Sequence, residues 1–341
     1  MDNKIETSFQ KRRWIFFWSQ KKAKIGSSIF IFMLFFSMTA SFWSNSKPYI
    51  LITKQDSHTQ VFFPLFKKYS PSDFGLGDIF YMNYKDFVKN NPQSFALFPP
   101  NPWDPLEQDD AVLAAPSSSH FLGTDNLGRD ILARLLHGTQ KSLLFALSLW
   151  IISYAMGIFI GAVQGFFIGA FDFILERFKE LAAIIPMLTA IILMTSLTQN
   201  QSFSLILFIT LVFAWMGIAS QVRATVLSLR QREFCQASLA LGASPLRIIW
   251  THILPNSLTA VITLSPFAIE AGISLLASLD YLGFGLPPPT PSLGELMDQG
   301  RDHIQEAPWV LSFPVLTILL LLVSISLIGQ ALRNAFDPKL N

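Results

Sequence analysis

Six apolar runs dominate this chain: residues 25–43, 142–169, 181–198, 204–220, 257–279 and 310–330. Together they hold one charged side chain, Glu270. A bilayer core offers no water to unpaired backbone groups, so such runs cross it as helices. The first run, taken as a helix, spans about 28 Å at roughly 1.5 Å per residue, which matches the hydrocarbon thickness. The expected fold is an all-α integral membrane protein with six transmembrane helices. Composition agrees, with 51% of the 341 residues hydrophobic and only 14% charged, which is low for a soluble domain. The single cysteine, Cys235, excludes an intrachain disulfide and any multi-cysteine metal site.

Lysine and arginine orient the runs. Residues 1–24 carry seven, 170–180 two, 221–256 four and 331–341 two. On the alternate side, 281–309 carries only Arg301 against Glu295, Asp298, Asp302 and Glu306. The positive-inside rule then places both termini in the cytoplasm. A cleaved signal peptide competes for the first run, but the run is too long, and Phe42-Trp43-Ser44 makes a poor small-residue cleavage site. The expected organisation is a cytoplasmic segment 1–24, a transmembrane helix 25–43, a periplasmic segment 44–141, a core 142–330 and a tail 331–341. Gly157, Gly161, Gly165 and Gly169 recur every fourth residue, a stripe suited to close helix packing.

Residues 44–141 are of another kind, polar, aromatic and studded with proline, which argues against a large helical domain. Their end, His120 to Gly138, reads as a turn followed by a short helix that Gly138 terminates. Leu127, Ile131 and Leu135 share one face, so this helix is expected along the membrane surface. Asp125 offers it an N-cap, and Arg129 and Asp130 read as structural partners.

Residues 232–256 interrupt the apolar pattern with Arg232, Glu233, Arg247 and His252 and cannot cross a bilayer. Two short helices are expected here. The first stops at Gly242, in the left-handed cap position; the second opens with Ser244 as N-cap and Pro245 at its first position. Small residues (Ala237, Ser238, Gly242) let another surface approach, while Phe234 and Leu241 offer apolar contact. The pattern suggests a docking device, expected within a cytoplasmic loop 221–256.

Catalytic signatures are weak. Gly123 to Gly128 has the spacing of a phosphate loop, but Arg129-Asp130 follows where Lys-Ser/Thr is needed. The five histidines are scattered, and neither a metal site nor a bound cofactor is expected. Glu270, deep in the fifth run, either lines a translocation path or bonds to a neighbouring helix. The stretch Tyr281 to Gly294 cannot continue a helix. It is expected as a tight outer turn or short re-entrant loop, with Gly283 and Gly285 in positions closed to other residues.

Gln236-Ala237-Ser238, Gly242 and His252-Ile253-Leu254-Pro255 resemble the cytoplasmic signature of binding-protein-dependent ABC importer permeases, Glu-Ala-Ala-x3-Gly-x9-Ile-x-Leu-Pro. Gln236, Ser238 and His252 depart from it; the spacing from Gly242 to Pro255 is kept. Leu122-Gly-Thr-Asp-Asn-Leu-Gly-Arg-Asp130, with Gly123, Thr124, Asp125 and Gly128, and the stretch Leu282 to Gly294 narrow the likeness. They resemble the second permease subunit of the dipeptide/oligopeptide/nickel group. The aromatic 44–119 segment, including Phe62-Phe-Pro-Leu-Phe66 and Tyr69 to Gly75, is similar to the Yej-type permeases associated with oligopeptide and microcin C uptake. The resemblance implies an inner-membrane subunit without catalytic activity, a homologous second permease, cytoplasmic subunits that bind the ATP, and a periplasmic substrate-binding protein. Nucleic acid has no place in it. A nickel or other small-solute importer shares these motifs. An ion-coupled carrier would need more buried charges and repeated halves, and a structural anchor would leave the cytoplasmic motif unexplained.

Overall fold

The computed structural model describes residues 2–55, 58–74, 82–198 and 201–336. Gly75 and residues 337–341 of the tail lie outside the described residues. The N-terminal part holds α1 (Asp2–Ser19), α2 (Lys21–Met38), α3 (Ala40–Trp43), β1 (Ile50–Gln55), β2 (His58–Phe62), α4 (Tyr84–Asn90) and β3 (Phe95–Leu97). Then come α5 (Ile131–Phe166), α6 (Ala170–Ile184), α7 (Met187–Leu197), α8 (Phe203–Arg230), α9 (Glu233–Ala240) and α10 (Pro245–Ile248). The chain closes with α11 (Leu254–Tyr281), α12 (Leu293–Asp302) and α13 (Pro308–Phe336). Two compact units result: Met1–Phe32 with Ser142–Pro287 and Ile318–Asn341, and Met33–Lys141 with Pro288–Thr317.

In the first unit, apolar length decides which helices can span. Among the described residues, α5, α8, α11 (over Val261–Tyr281) and α13 are long and apolar enough to cross a membrane. The α6–α7 pair is a fifth if it is one broken span. The expected sixth, over residues 25–43, is not among them. Its helix α2 begins with Lys21, Lys22 and Lys24, and the run is interrupted at Thr39 before α3. The run 181–198 is also not one straight helix. Pro186 has no N–H for the helix ladder, and α6 and α7 meet there at 76°. Residues 170–180, which lie between two apolar runs, belong to helix α6, where Lys179 pairs with Glu176 one turn away at 2.8 Å.

The glycine stripe sets the closest packing of this unit. A Cβ on Gly157 would stand 2.9 Å from Ile218 and from the Trp215 carbonyl, and one on Gly165 2.8 Å from Val226 and from the Arg223 carbonyl. A Cβ on Gly161 would run into the Ala219 carbonyl. Only hydrogen at these three positions lets α5 and α8 meet along their backbones. Gly169 does not extend the stripe; it follows the end of α5, with φ at +141° and open space beside it among the described residues. Around this contact Tyr154, Ala162 and Phe166 form a core with Ile218, Val222 and Val226.

The second unit corrects the all-α expectation. Its strands form a three-stranded antiparallel sheet in the order β2-β1-β3, with Leu51 opposite Phe62 and Ala96. One face is the core, where Leu51 and Phe62 pack with Phe74, Tyr84 and Phe87. Prolines at 48, 64, 92, 99 and 100 fall between the elements, where no ladder hydrogen bond is lost. The surface helix expected to end at Gly138 is absent as a separate element. Residues from Ile131 onward are the start of α5, which runs through Gly138 without a break. Gly138 serves close approach: a Cβ there would stand 3.2 Å from the backbone of Ser292 and Leu293. Leu127 precedes the helix and is exposed, while Ile131 and Leu135 are buried, so the expected amphipathic face does not exist.

Replacing Gly161 with leucine is expected to overpack the α5–α8 contact at a cost of about 1–3 kcal/mol. The check is the thermal unfolding midpoint in detergent, against Gly217→Ala, whose added Cβ meets no described atom within 4 Å and, since alanine is the better helix former, does not lower the midpoint.

Candidate functional site

The polar stretch after α8 folds by local chemistry. Gly242 sits at φ +82°; its N–H reaches the Leu239 carbonyl and the Ala243 N–H reaches the Ser238 carbonyl, each at 3.0 Å. Those two bonds close α9 in a Schellman motif. Ser244 then accepts from the Arg247 N–H at 3.4 Å, with Pro245 at the first helical position. The second short helix does not end in a loop. It passes through a π turn over Ile249–Ile253 straight into α11. Within residues 221–256, α8 stays helical to Arg230 and α11 already includes Leu254 and Pro255.

Burial divides this element into an anchor and a display. Cys235, Ile248, Ile249 and Ile253 are buried in the core shared with α5 and α8. Burial pushes the Cys235 thiol above its usual pKa. Phe234, Gln236 and Ala237 are exposed, Ser238 is half-buried, and Leu241 is 89% exposed. The Phe234 ring lies 6.1 Å from that of His252, so these two do come together. Gln236 lines a shallow cleft of about 360 Å³ with Arg230, Gln231 and Leu239. A Cβ on Gly242 would meet no described atom within 4 Å. The element thus presents exposed apolar side chains on a helix tied at both ends to long helices.

Beside it lies a polar cluster that the sequence reading missed. Arg223 on α8 donates to both oxygens of Asp172, at 2.6 and 2.7 Å. Lys179, 5% exposed, donates to Gln164 at 3.2 Å and Ser220 at 2.9 Å. Gln164 in turn donates to Glu176 at 2.8 Å. Helices α5, α6 and α8 are joined through these bonds. The available signal was the spacing of Asp172, Glu176 and Lys179 at i, i+4 and i+7, one helix face, which counting charges by loop conceals.

The turn around Asp125, in the second unit, is a knot of buried charge. Asp125 is fully buried and accepts from the Leu127 and Arg129 N–H groups, each at 2.9 Å. Its other oxygen takes Arg129 Nε at 2.8 Å. The backbone donors of this turn are therefore occupied, and Gly123 and Gly128, at φ +83° and +73°, shape a turn around a carboxylate. Capping of α5 falls to Asp130, which accepts from the Ala133 N–H at 2.8 Å. Asp130 also faces Asn101 at 2.8 Å and His120 at 3.0 Å. Arg129 reaches Glu295 at 3.2 Å, and Arg134 bonds the same carboxylate. Thr124 accepts from the Ala114 N–H at 2.8 Å.

Two further candidates fall in the first unit. After α11, Gly283 at φ +77° closes a second Schellman motif, and Asp280 accepts from the Leu286 N–H at 2.7 Å. A Cβ on Gly285 would collide with the Asp280 side chain. Glu270 is half-buried and accepts a hydrogen bond from Ser326 of α13 at 2.9 Å.

Four helices among the described residues, long and apolar enough to cross a membrane, with the α6–α7 pair as a fifth if it is one broken span, define a multi-pass membrane protein. Residues 121–341 match the family of binding-protein-dependent transport system inner membrane components, and the chain belongs to that family. It is a multi-pass inner-membrane permease component. The inner membrane ABC transporter permease protein YejE of Escherichia coli K12 is 38% identical over 333 residues, 96% of each chain. The peptidoglycan transport system permease protein YejE of Agrobacterium fabrum is 32% identical over 360 residues, 96% of this chain and 93% of that protein. The oligopeptide transport system permease protein OppC of Mycobacterium tuberculosis H37Rv is 37% identical over 248 residues, covering 72% and 85%.

Removing one partner from a buried ion pair typically costs about 3–5 kcal/mol, because the other charge stays behind. Asp125→Ala is accordingly expected to lower the thermal midpoint sharply, while Asp298→Ala, at an exposed pair, leaves it within error.

Proposed function

We propose that this chain is the membrane-crossing subunit of an ATP-driven importer of peptides or peptide-like compounds, with α9 and the turn at Gly242 as the contact for the subunit that hydrolyses ATP. The observation that carries this reading is the exposure of Phe234 on α9 and of Leu241 at its C-cap, on a helix whose only buried side chain is Cys235. An apolar side chain 89% in water, held on a capped helix, fits a groove on another protein. Because α9 follows α8 and α10 leads into α11, closure of that partner moves both long helices as bodies. The residues assigned to the contact are Phe234, Gln236, Ala237, Ser238, Leu241 and Gly242, with His252, Leu254 and Pro255 supporting them.

The relatives' names, covering peptidoglycan, oligopeptide and dipeptide transport, support a peptide-like substrate over nickel; uptake of microcin C-like peptides falls within the same class. The proposed assembly adds a second homologous permease, cytoplasmic ATP-binding subunits and a periplasmic substrate-binding protein. This chain itself binds no ATP and needs no cofactor or metal. In this reading α2 with α3 forms the sixth span, both termini are cytoplasmic, and the small sheet lies in the periplasm. The lysine and arginine counts of the loops support that orientation.

Gly242→Trp is expected to abolish substrate-dependent ATP hydrolysis by the purified complex, whereas Gly242→Asn, which tolerates the left-handed conformation, retains most of it. Coupling that survives the tryptophan would remove α9 from the contact. Glu270→Gln keeps an acceptor for Ser326 but loses the charge. It is expected to reduce uptake of a labelled oligopeptide in cells without changing assembly; unchanged uptake takes Glu270 out of the path.

A further inference from the structure

The sheet of the second unit has a second face, and that face is apolar. Strand alternation and register place Ile50, Ile52, Val61, Phe95 and Leu97 together on it, opposite the core residues Leu51, Phe62 and Ala96. Val61 is 50% exposed, Phe95 61% and Leu97 48%, with Ile50 and Ile52 half-buried. Solvated sheet faces normally carry polar side chains, and a contiguous apolar patch of this kind marks an interaction surface.

The attachments of the sheet run to the end of the first apolar helix. The Tyr49 N–H donates to the Leu97 carbonyl at 2.8 Å, and the Tyr49 hydroxyl bonds the Phe42 carbonyl at the end of α3. The Phe42 ring also lies 5.9 Å from Phe66, in the turn that follows β2. Phe35, Phe42 and Phe66 are exposed, so an aromatic strip runs from the helix end to the sheet. Lys67 and Lys68 follow Phe66, and Lys54 shares the apolar face with Ile50 and Ile52; all three are exposed. Aromatic rings with lysines beside them, at the end of an apolar helix, suit the boundary between acyl chains and anionic headgroups.

We infer that the Ile50–Ile52–Val61–Phe95–Leu97 face rests on the outer surface of the bilayer, with Phe66 beside it and Lys54, Lys67 and Lys68 toward phospholipid phosphates. This rests on the reading that α2 and α3 cross the membrane with the sheet outside. The sheet then lies along the lipid as a brace for the end of the first helix.

The test places single spin labels in the full chain through Val61→Cys, Phe95→Cys and, on the opposite side of the sheet, Lys89→Cys, each with Cys235→Ala. In nanodiscs of phosphatidylethanolamine and phosphatidylglycerol, Val61 and Phe95 are expected to collide with oxygen several-fold more often than with a water-soluble nickel chelate. Lys89 is expected to show the reverse. Chelate access at Val61 and Phe95 equal to that at Lys89 would put the face in water and overturn the inference. Protection from both reagents would mean that a protein surface covers it, and would equally overturn it. The underlying orientation is tested apart, by labelling Lys89→Cys in intact spheroplasts with a membrane-impermeant maleimide. Labelling supports a periplasmic sheet, and protection there overturns the orientation while the depth measurement stands by itself.

Discussion

Everything in the helical unit depends on how closely α5 and α8 approach. Hydrogen at Gly157, Gly161 and Gly165 lets the two backbones touch, which matters in lipid because packing, not water, holds helices together. The exposed helix α9 follows α8 after a two-residue break at Gln231 and Arg232, and its one buried side chain, Cys235, sits in the core built around this contact. A display element needs a stiff support, and the α5–α8 contact supplies it.

Buried charge takes over where the apolar surface ends. The Asp172–Arg223 pair, with Gln164, Glu176 and Lys179, ties α6 to α5 and α8 near the turn that precedes α9. Each group satisfies another, so that little charge is left uncompensated. The second unit uses the same device around Asp125, Arg129, Arg134 and Glu295. Both clusters tie neighbouring elements of their own unit together.

Much was legible locally. Six apolar runs with one charge among them announced a membrane protein, and five of them correspond to helices, or a bent helix pair, long and apolar enough to span. Ser244, Pro245 and Gly242 announced the turn between α9 and α10, and each performs the role its chemistry suggests. The misreadings share a cause. Gly138 has the same composition cue as Gly242, yet it lies inside α5, because what it accommodates is the backbone of Ser292, more than 150 residues away in sequence. Asp125 looked like a helix cap and instead fills its own turn, while Asp130 caps α5. The small sheet was hidden because its strands are short and separated by proline-containing loops.

The sequence by itself determined that the chain crosses a membrane, where its polar excursion falls, and how that excursion is capped. Those properties depend on residues a few positions apart, whose interactions survive in any fold. Tertiary structure alone decided which charges pair, which glycines serve packing and which serve turns, and which side chains remain exposed. Arg223 finds Asp172 across 51 positions and Arg129 finds Glu295 across 166. The burial that makes such pairs strong exists only after the helices have assembled.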